Sequence, residues 1–485
     1  MKNLKKAVAF LLAFVMMILA SGCTKKTDDN VKTGDETTKI LWYTFGSKQP
    51  DHDLVMTEIN KILKEKLNAE LQLNLIDMGS YESKMNLSIS ANENFDICFT
   101  SNWLNKYVPN VLKGAYLPLD DLIAKNAPKL KSELPEMVLD IAKYKGQSYA
   151  VPNYQILYSQ YGFVIQKELA DKYNLDTESL NSVQDIEPFL QQIKDNEPGI
   201  IPIRTQSYDR FREYYEEVDP VPVYVKKGDE SLTAVARVLA PEARETAAFL
   251  ADWFKKGFIR KDILTVTDDT VDVAANKYAV QLASVKPGVE GEMFLKTKKE
   301  YISVPFMEPY IGSLSGMSTM LAISKNCKNP EIAIKLIELV NTDKEFYNLL
   351  CFGIEGKHYE KISDDQIKVP EDSNYKMGSG AWAFGNQFNA LYMDTQKVGS
   401  WEETDKINKE SVVSPFRGFM LDTDPIKTEL AQLLAVSQEY KDDTIFARAD
   451  WEKAYDEYAQ KSQRAGLDKV VAEVQRQLDE YKAAK

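Results

Sequence analysis

The chain has 485 residues and a mass of 55.1 kDa, more than one hydrophobic core usually serves, so at least two domains are expected. Hydrophobic residues make up 44% and charged residues 27%, the balance of a soluble globular protein rather than a disordered or membrane-embedded one. Acidic side chains outnumber basic ones by 73 to 60, and a net charge of −13 repels phosphate backbones, which argues against nucleic acid as a partner. His52 and His358 are the only histidines, so zinc sites built on histidine and Ser-His-Asp catalysis lack their residues.

Lys2, Lys5 and Lys6 precede an apolar run from Ala7 to Ala20. A bilayer-spanning helix needs roughly 20 such residues, so residues 1–22 read as a signal peptide. The run ends in Leu19-Ala20-Ser21-Gly22-Cys23, which resembles the looser form of the bacterial lipobox. That resemblance implies a diacylglycerol on the Cys23 thiol and a membrane anchor at the outer cell face. Thr24–Lys39 holds one apolar side chain, Val31, so residues 23–38 are expected to be a flexible tether. Cys98, Cys327 and Cys351 cannot all pair, and the apolar run Phe95–Phe99 predicts a buried free thiol at Cys98.

Beyond the tether, strand and helix patterns alternate, the mark of an α/β fold. Ile40–Phe45 reads as a strand and Leu54–Leu67 as a helix, with Asp51-His52-Asp53 just before it in a capping role. Leu71, Leu73 and Leu75 alternate with polar residues in a second strand. A helix over Tyr81–Ser90 and a buried strand at Phe95–Thr100 follow. This β-α-β-α-β order gathers the loops after each strand at one carboxyl edge, where open α/β sheets bind ligands. Further strands are predicted at Gly199–Ile203, Tyr278–Val285 and Tyr301–Phe306. Helices are predicted at Pro241–Phe254, from an Asn329 cap through Pro330, and over the last amphipathic stretch from Leu467 to Tyr481.

Several stretches together resemble the extracellular solute-binding proteins of ABC transporters, the class that includes maltose-binding protein. They are Phe95–Thr100 with Trp103, Gly114–Ile123, Gly146–Pro152 and Met317–Leu350. Gly353–Glu360 and Ser414–Phe419 resemble a lipoprotein subgroup with its own C-terminal segment. The resemblance implies a two-lobed periplasmic-binding-protein-like fold of type II, with interleaved chain crossings and a cleft between the lobes. Lobe 1 is expected to combine residues 39–150 and 310–360. Lobe 2 is expected to hold 155–300 and 365–485 with the C-terminal helices. Proline at both crossings, in Val151-Pro152 and in Pro305–Tyr310, suits strands that bend between lobes. The implied function is capture of a carbohydrate by a monomer and delivery to a membrane permease, with no cofactor, metal or catalysis. A binding protein for another solute such as a peptide, and a surface glycoside hydrolase, remain open.

Sugars present apolar C–H faces that stack on aromatic rings, while their hydroxyls need polar partners. Trp103, following a buried strand with Asn102 beside it, meets that need. Tyr43 and Phe45 close the first strand, Tyr154 lies just past the first crossing, and Tyr310 lies on the second. Trp382 and Phe384 sit in the glycine-flanked stretch Gly378–Asn386, read as a loop that offers Trp382 from the second lobe. Asp51-His52-Asp53 is better read as a helix start than as a metal site, and His358 as structural.

Overall fold

A computed structural model describes residues 37–484, apart from Ser207, Thr267 and Asp442. The apolar leader, Cys23 and nearly all of the tether lie outside the described residues. The chain opens with β1 (Thr38–Phe45), α1 (His52–Leu67), β2 (Ala69–Ile76), α2 (Met78–Ser90) and β3 (Ile97–Thr100). After several short helices, β4 (Ala150–Pro152) follows. A second block holds β5 (Tyr161–Gln166) and β6 (Ile201–Arg204), then the small strands β7 (Tyr215–Glu217), β8 (Val223–Lys226) and β9 (Val235–Ala236). Next come α3 (Pro241–Lys255), β10 (Tyr278–Ser284), α4 (Val289–Thr297) and β11 (Tyr301–Pro305). The chain returns through β12 (Tyr310–Ile311) to β13 (Met320–Ile323), α5 (Pro330–Thr342) and α6 (Lys344–Phe352). It ends with α7 (Ser400–Glu410), β14 (Val412–Val413), α8 (Lys427–Tyr440), α9 (Trp451–Arg464) and α10 (Leu467–Ala483).

The first sheet runs β2-β1-β3-β13-β4. Its β1 pairs in parallel with β2 and β3, while β13 lies antiparallel between β3 and β4. All four side chains of β13 are buried. The second sheet runs β11-β5-β10-β6, and β7, β8 and β9 form a third. Strand and helix positions follow the sequence pattern to within a few residues, because apolar spacing fixed both periods.

Buried apolar side chains separate into two principal cores. One draws on residues from Ile40 to Tyr158 and from Ile311 to Leu391, and the other on Phe163 to Leu282 and Phe416 to Leu478. The expected second lobe began its last segment at residue 365, yet Ile367, Tyr375 and Leu391 pack in the first core. Hydrogen bonds explain the difference. The Tyr375 hydroxyl donates to the Leu350 carbonyl at 2.7 Å, and the Asn389 side chain donates to the Asn341 carbonyl at 2.9 Å. The chain therefore stays with α5 and α6 as far as Leu391 and joins the second core from Phe416.

Two cap assignments also change. Asp51 precedes α1 without a capping hydrogen bond, and its carboxylate meets His358 Nε2 and Lys357 Nζ, each at 3.1 Å. His358 is buried, and its Nδ1 accepts the Ile354 N–H at 2.9 Å, a structural role. Asn329 likewise makes no side-chain cap, although Pro330 does occupy the first turn of α5. Cys98, Cys327 and Cys351 are free thiols, and burial pushes Cys98 up to about 12.

Three segments pass between the cores side by side. Ser159 and Tyr310 exchange backbone hydrogen bonds of 2.9 and 3.0 Å, and β12 pairs in parallel with β14. Asn408, buried on α7, accepts the Leu157 N–H and donates to the Gln155 carbonyl, both at 2.8 Å. These bonds satisfy main-chain groups of a segment that has left its sheet.

Because β13 enters the first sheet only after the second block is complete, a chain truncated to residues 37–306 lacks an internal strand of that sheet. It is expected to show no cooperative thermal transition by circular dichroism, whereas two independent consecutive domains would melt cooperatively.

Candidate functional site

At the carboxyl edge of the first sheet, β1 ends in Phe45 and β3 ends in Thr100, followed by a tight turn. The Ser101 hydroxyl oxygen accepts the N–H of Leu104 at 2.7 Å and of Trp103 at 3.2 Å. Asn105 adopts φ +49° and donates its side-chain amide to the Phe99 carbonyl at 2.7 Å. Its own N–H donates to the Glu82 carboxylate on α2. Asn102 N–H donates to the Met317 carbonyl at 3.0 Å, and Trp103 Nε1 donates to the Ser318 carbonyl at 2.9 Å. The turn is thus tied to the returning segment ahead of β13. Trp103 keeps 45% of its surface exposed, and Asn102 beside it is exposed as well.

Trp382 arrives from the far end of the sequence on a 3-10 turn, Met377–Ala383. The stretch read as a loop is wound tightly and pressed on helices. A Cβ at Gly385 would sit 2.5 Å from the Val340 carbonyl oxygen on α5, and one at Gly378 would collide with the Phe352 ring on α6. Glycine here permits close approach, rather than marking looseness. The Tyr347 hydroxyl donates to the Ala381 carbonyl at 2.8 Å, and Asn153 Nδ2 donates to the Trp382 carbonyl at 3.1 Å.

These two anchored turns bring four rings together. Trp382 lies 6.5 Å from Trp103 and 5.5 Å from Phe45, centroid to centroid. Phe99 lies 6.1 Å from Trp103 and 6.3 Å from Trp382. Buried Phe45 and Phe99 form a floor, on which exposed Trp103 and half-buried Trp382 present indole surface. The floor fixes the two rings in advance, so a ligand stacked there would not have to order them.

The remaining sequence candidates separate from this cluster. Tyr43 stacks on Phe95 at 5.9 Å, two residues farther from the sheet edge. Phe384 is 1% exposed and packs edge-on against Trp42, as a core residue would. Tyr154 is buried against Phe388, with its hydroxyl on Asp405 of α7. Tyr310, on β12, donates to Glu216 at 2.7 Å, and Lys227 Nζ lies 4.6 Å above its ring. Burial pushes the Lys227 ammonium down to about 8 against the pull of Glu216 and Glu213. Trp382 belongs with the first core, so the two tryptophans flank one patch rather than facing each other from opposite lobes.

Sequence reading missed Phe99 and Asn153, whose groups hold the patch in place, and took Asn105 for a polar neighbour of the ligand, whereas it is buried and braces the turn. Burial pushes the Asp219 carboxyl above its ordinary value, while neighbouring Lys106 and Arg212 pull it down. Lys106 follows the Trp103 turn closely, and Asp219 and Arg212 belong to the second block. No short motif marks any of these residues.

Two α/β lobes joined by adjacent chain segments, with a preset aromatic patch at one sheet edge, define a class of ligand-capture proteins. Residues 52–345 match the family described as bacterial extracellular solute-binding protein, and the chain belongs to that family. Residues 415–483 match a family described as a domain of unknown function. The chain is 29% identical to a carbohydrate ABC transporter substrate-binding protein of Streptococcus pneumoniae serotype 4, over 99% of both chains. It also resembles the crystal structure of the N-glycan transport solute binding protein NgtS from Streptococcus pneumoniae. The identity is 27%, with 92% of this chain and 99% of that one covered, and the TM-score is 0.81. Against the same protein in complex with Man1GlcNAc and with Man5GlcNAc, the TM-scores are 0.69 and 0.66.

If the Trp382 turn depends on close approach to α5, Gly385→Ala must displace it or the helix. The variant is expected to lose about 1–3 kcal/mol of stability in chemical denaturation. An unchanged denaturation midpoint would mean that the turn is not pressed against Val340.

Proposed function

We propose that the chain is the substrate-capturing component of an ABC importer, that it binds an oligosaccharide, and that it delivers the sugar to a membrane permease without breaking a bond. The observation that carries this reading is the Phe45–Phe99–Trp103–Trp382 patch, preset at the edge where an α/β sheet receives ligands. Indole faces stack on the C–H faces of pyranose rings, and exposed Asn102 offers a hydroxyl partner beside them. The glycan-binding relative makes Man1GlcNAc and Man5GlcNAc the first ligands to test.

Closure of the two lobes supplies the signal to the permease. One lobe comprises roughly residues 38–158 and 311–413, and the other 161–306 and 416–484. A ligand touching both favours the closed state by the difference in its affinity for the two states. The three NgtS structures support a movable hinge. They cover this chain equally at one sequence identity, yet match it with TM-scores from 0.81 to 0.66, so their own shapes differ. We further propose that the mature protein is a monomer held at the outer face of the cell membrane by a lipid on Cys23.

A thermal-shift screen of neutral oligosaccharides and short peptides tests the ligand class. A glycan at 100 times its dissociation constant should add roughly 2.7 kcal/mol, and a response to peptides alone would overturn the carbohydrate reading. With a bound glycan in hand, calorimetry on folded Trp103→Ala and Trp382→Ala should show losses on the order of 1–3 kcal/mol each. Unchanged affinity in both would remove the patch as the site. For the anchor, Cys23→Ala should move the protein from the membrane fraction to the medium or leave it unprocessed. Normal cleavage with retention on the membrane would contradict lipidation.

A further inference from the structure

A cavity of about 480 Å³ lies within the second lobe, away from the tryptophan patch and inside the roughly 300–1,000 Å³ range of small-molecule sites. Its space has a specific origin. Helix α3 turns Ala243, Thr246, Ala247 and Leu250 towards it, at i, i+3, i+4 and i+7, and three of these are small. Phe446, Tyr455 and Tyr458, which also line it, all come from the C-terminal segment whose family has no assigned function. Protein interiors pack closely, and a void beside large rings costs the contacts those rings would otherwise make.

Chemistry points to the same kind of occupant as the patch. Tyr161 and Tyr208, 5.5 Å apart edge to face, supply ring surface at the end nearest the first crossing. Asp209 on the wall is held by Arg237 at 3.2 Å and Arg212 at 3.6 Å, and Arg212 also pairs with Glu217. With its cations already matched to carboxylates, the lining suits neutral hydroxyls rather than an anion. Arg212 is also the residue that, with Lys106, acts on Asp219.

We propose that this cavity is a second carbohydrate subsite, in which the C-terminal segment walls a pocket for the outer residues of a long or branched oligosaccharide. The proposal rests on the carbohydrate reading above and gives residues 415–483 a role in ligand-size selection. A short sugar would occupy the tryptophan patch alone, and a longer one would extend into the pocket.

Two variants fill the cavity from different elements, Thr444→Trp on the C-terminal segment and Thr246→Phe on α3. Calorimetry would compare each with the unaltered protein for Man5GlcNAc and for Man1GlcNAc, with melting temperature as the check on folding. The expected result is a loss of about tenfold for Man5GlcNAc with Man1GlcNAc changed less than twofold, in whichever variants fold. Equal losses for both glycans, or no loss for either, would overturn the subsite while leaving the carbohydrate reading intact. Failure of the unaltered protein to bind either glycan would instead remove the N-glycan assignment, and the subsite with it. Failure of both variants to fold would show that the space is needed for packing, and would also overturn the proposal.

Discussion

Four buried residues, Met320–Ile323, bind the two halves of this molecule into one folding problem. Their strand lies antiparallel between β3 and β4, so the first sheet cannot be completed until the chain has built the second block and come back. Everything near the site inherits that constraint. The residues just before the strand, Met317 and Ser318, accept hydrogen bonds from Asn102 and from the Trp103 indole. The crossing segments are drawn together, with Ser159 paired to Tyr310 and β12 to β14. A single topological return thus positions the aromatic turn and lines up the hinge.

The hinge is held by side chains as much as by backbone. Asn408 on α7 clasps Gln155 and Leu157, and Tyr154 reaches Asp405 on the same helix. On the returning segment, Glu216 takes the Tyr310 hydroxyl and the Ser313 N–H. One clasp comes from the first core's last helix and the other from the small sheet of the second block. Crossing segments satisfied in this way have few unpaired main-chain groups to lose when the lobes rotate. Motion can then be confined to a few residues while each lobe moves as a body.

Much of this was legible in the sequence, and the failures have a common cause. Alternation at Leu71, Leu73 and Leu75, and the three-four spacing along α1 and α10, located elements because the core reads periodicity directly. Trp103 could be placed at the sheet edge because it follows a buried strand and has asparagine on either side. Trp382 was recognisable from its glycines, yet its lobe was not. Glycine announces a close approach but does not name what approaches, and here that was Val340 and Phe352 of the first core. The same gap hid the attachment of residues 365–391 to α5 and α6, and made Asp51, in a stretch read as a helix cap, the partner of His358. Phe384 shows the reverse error, since chemical type alone cannot distinguish a ring on a surface from one against Trp42. Long-range partners, rather than local propensity, decided every one of these positions.

A sugar seated on the aromatic patch is proposed to draw the second lobe over it. Small-angle X-ray scattering, with and without a glycan whose binding calorimetry has established, tests it most directly. A smaller radius of gyration is expected in the bound protein and, with Trp103→Ala, a contraction whose midpoint moves to roughly 5–150-fold higher glycan concentration. Scattering curves that superpose when the unaltered protein is saturated would contradict closure as the mechanism.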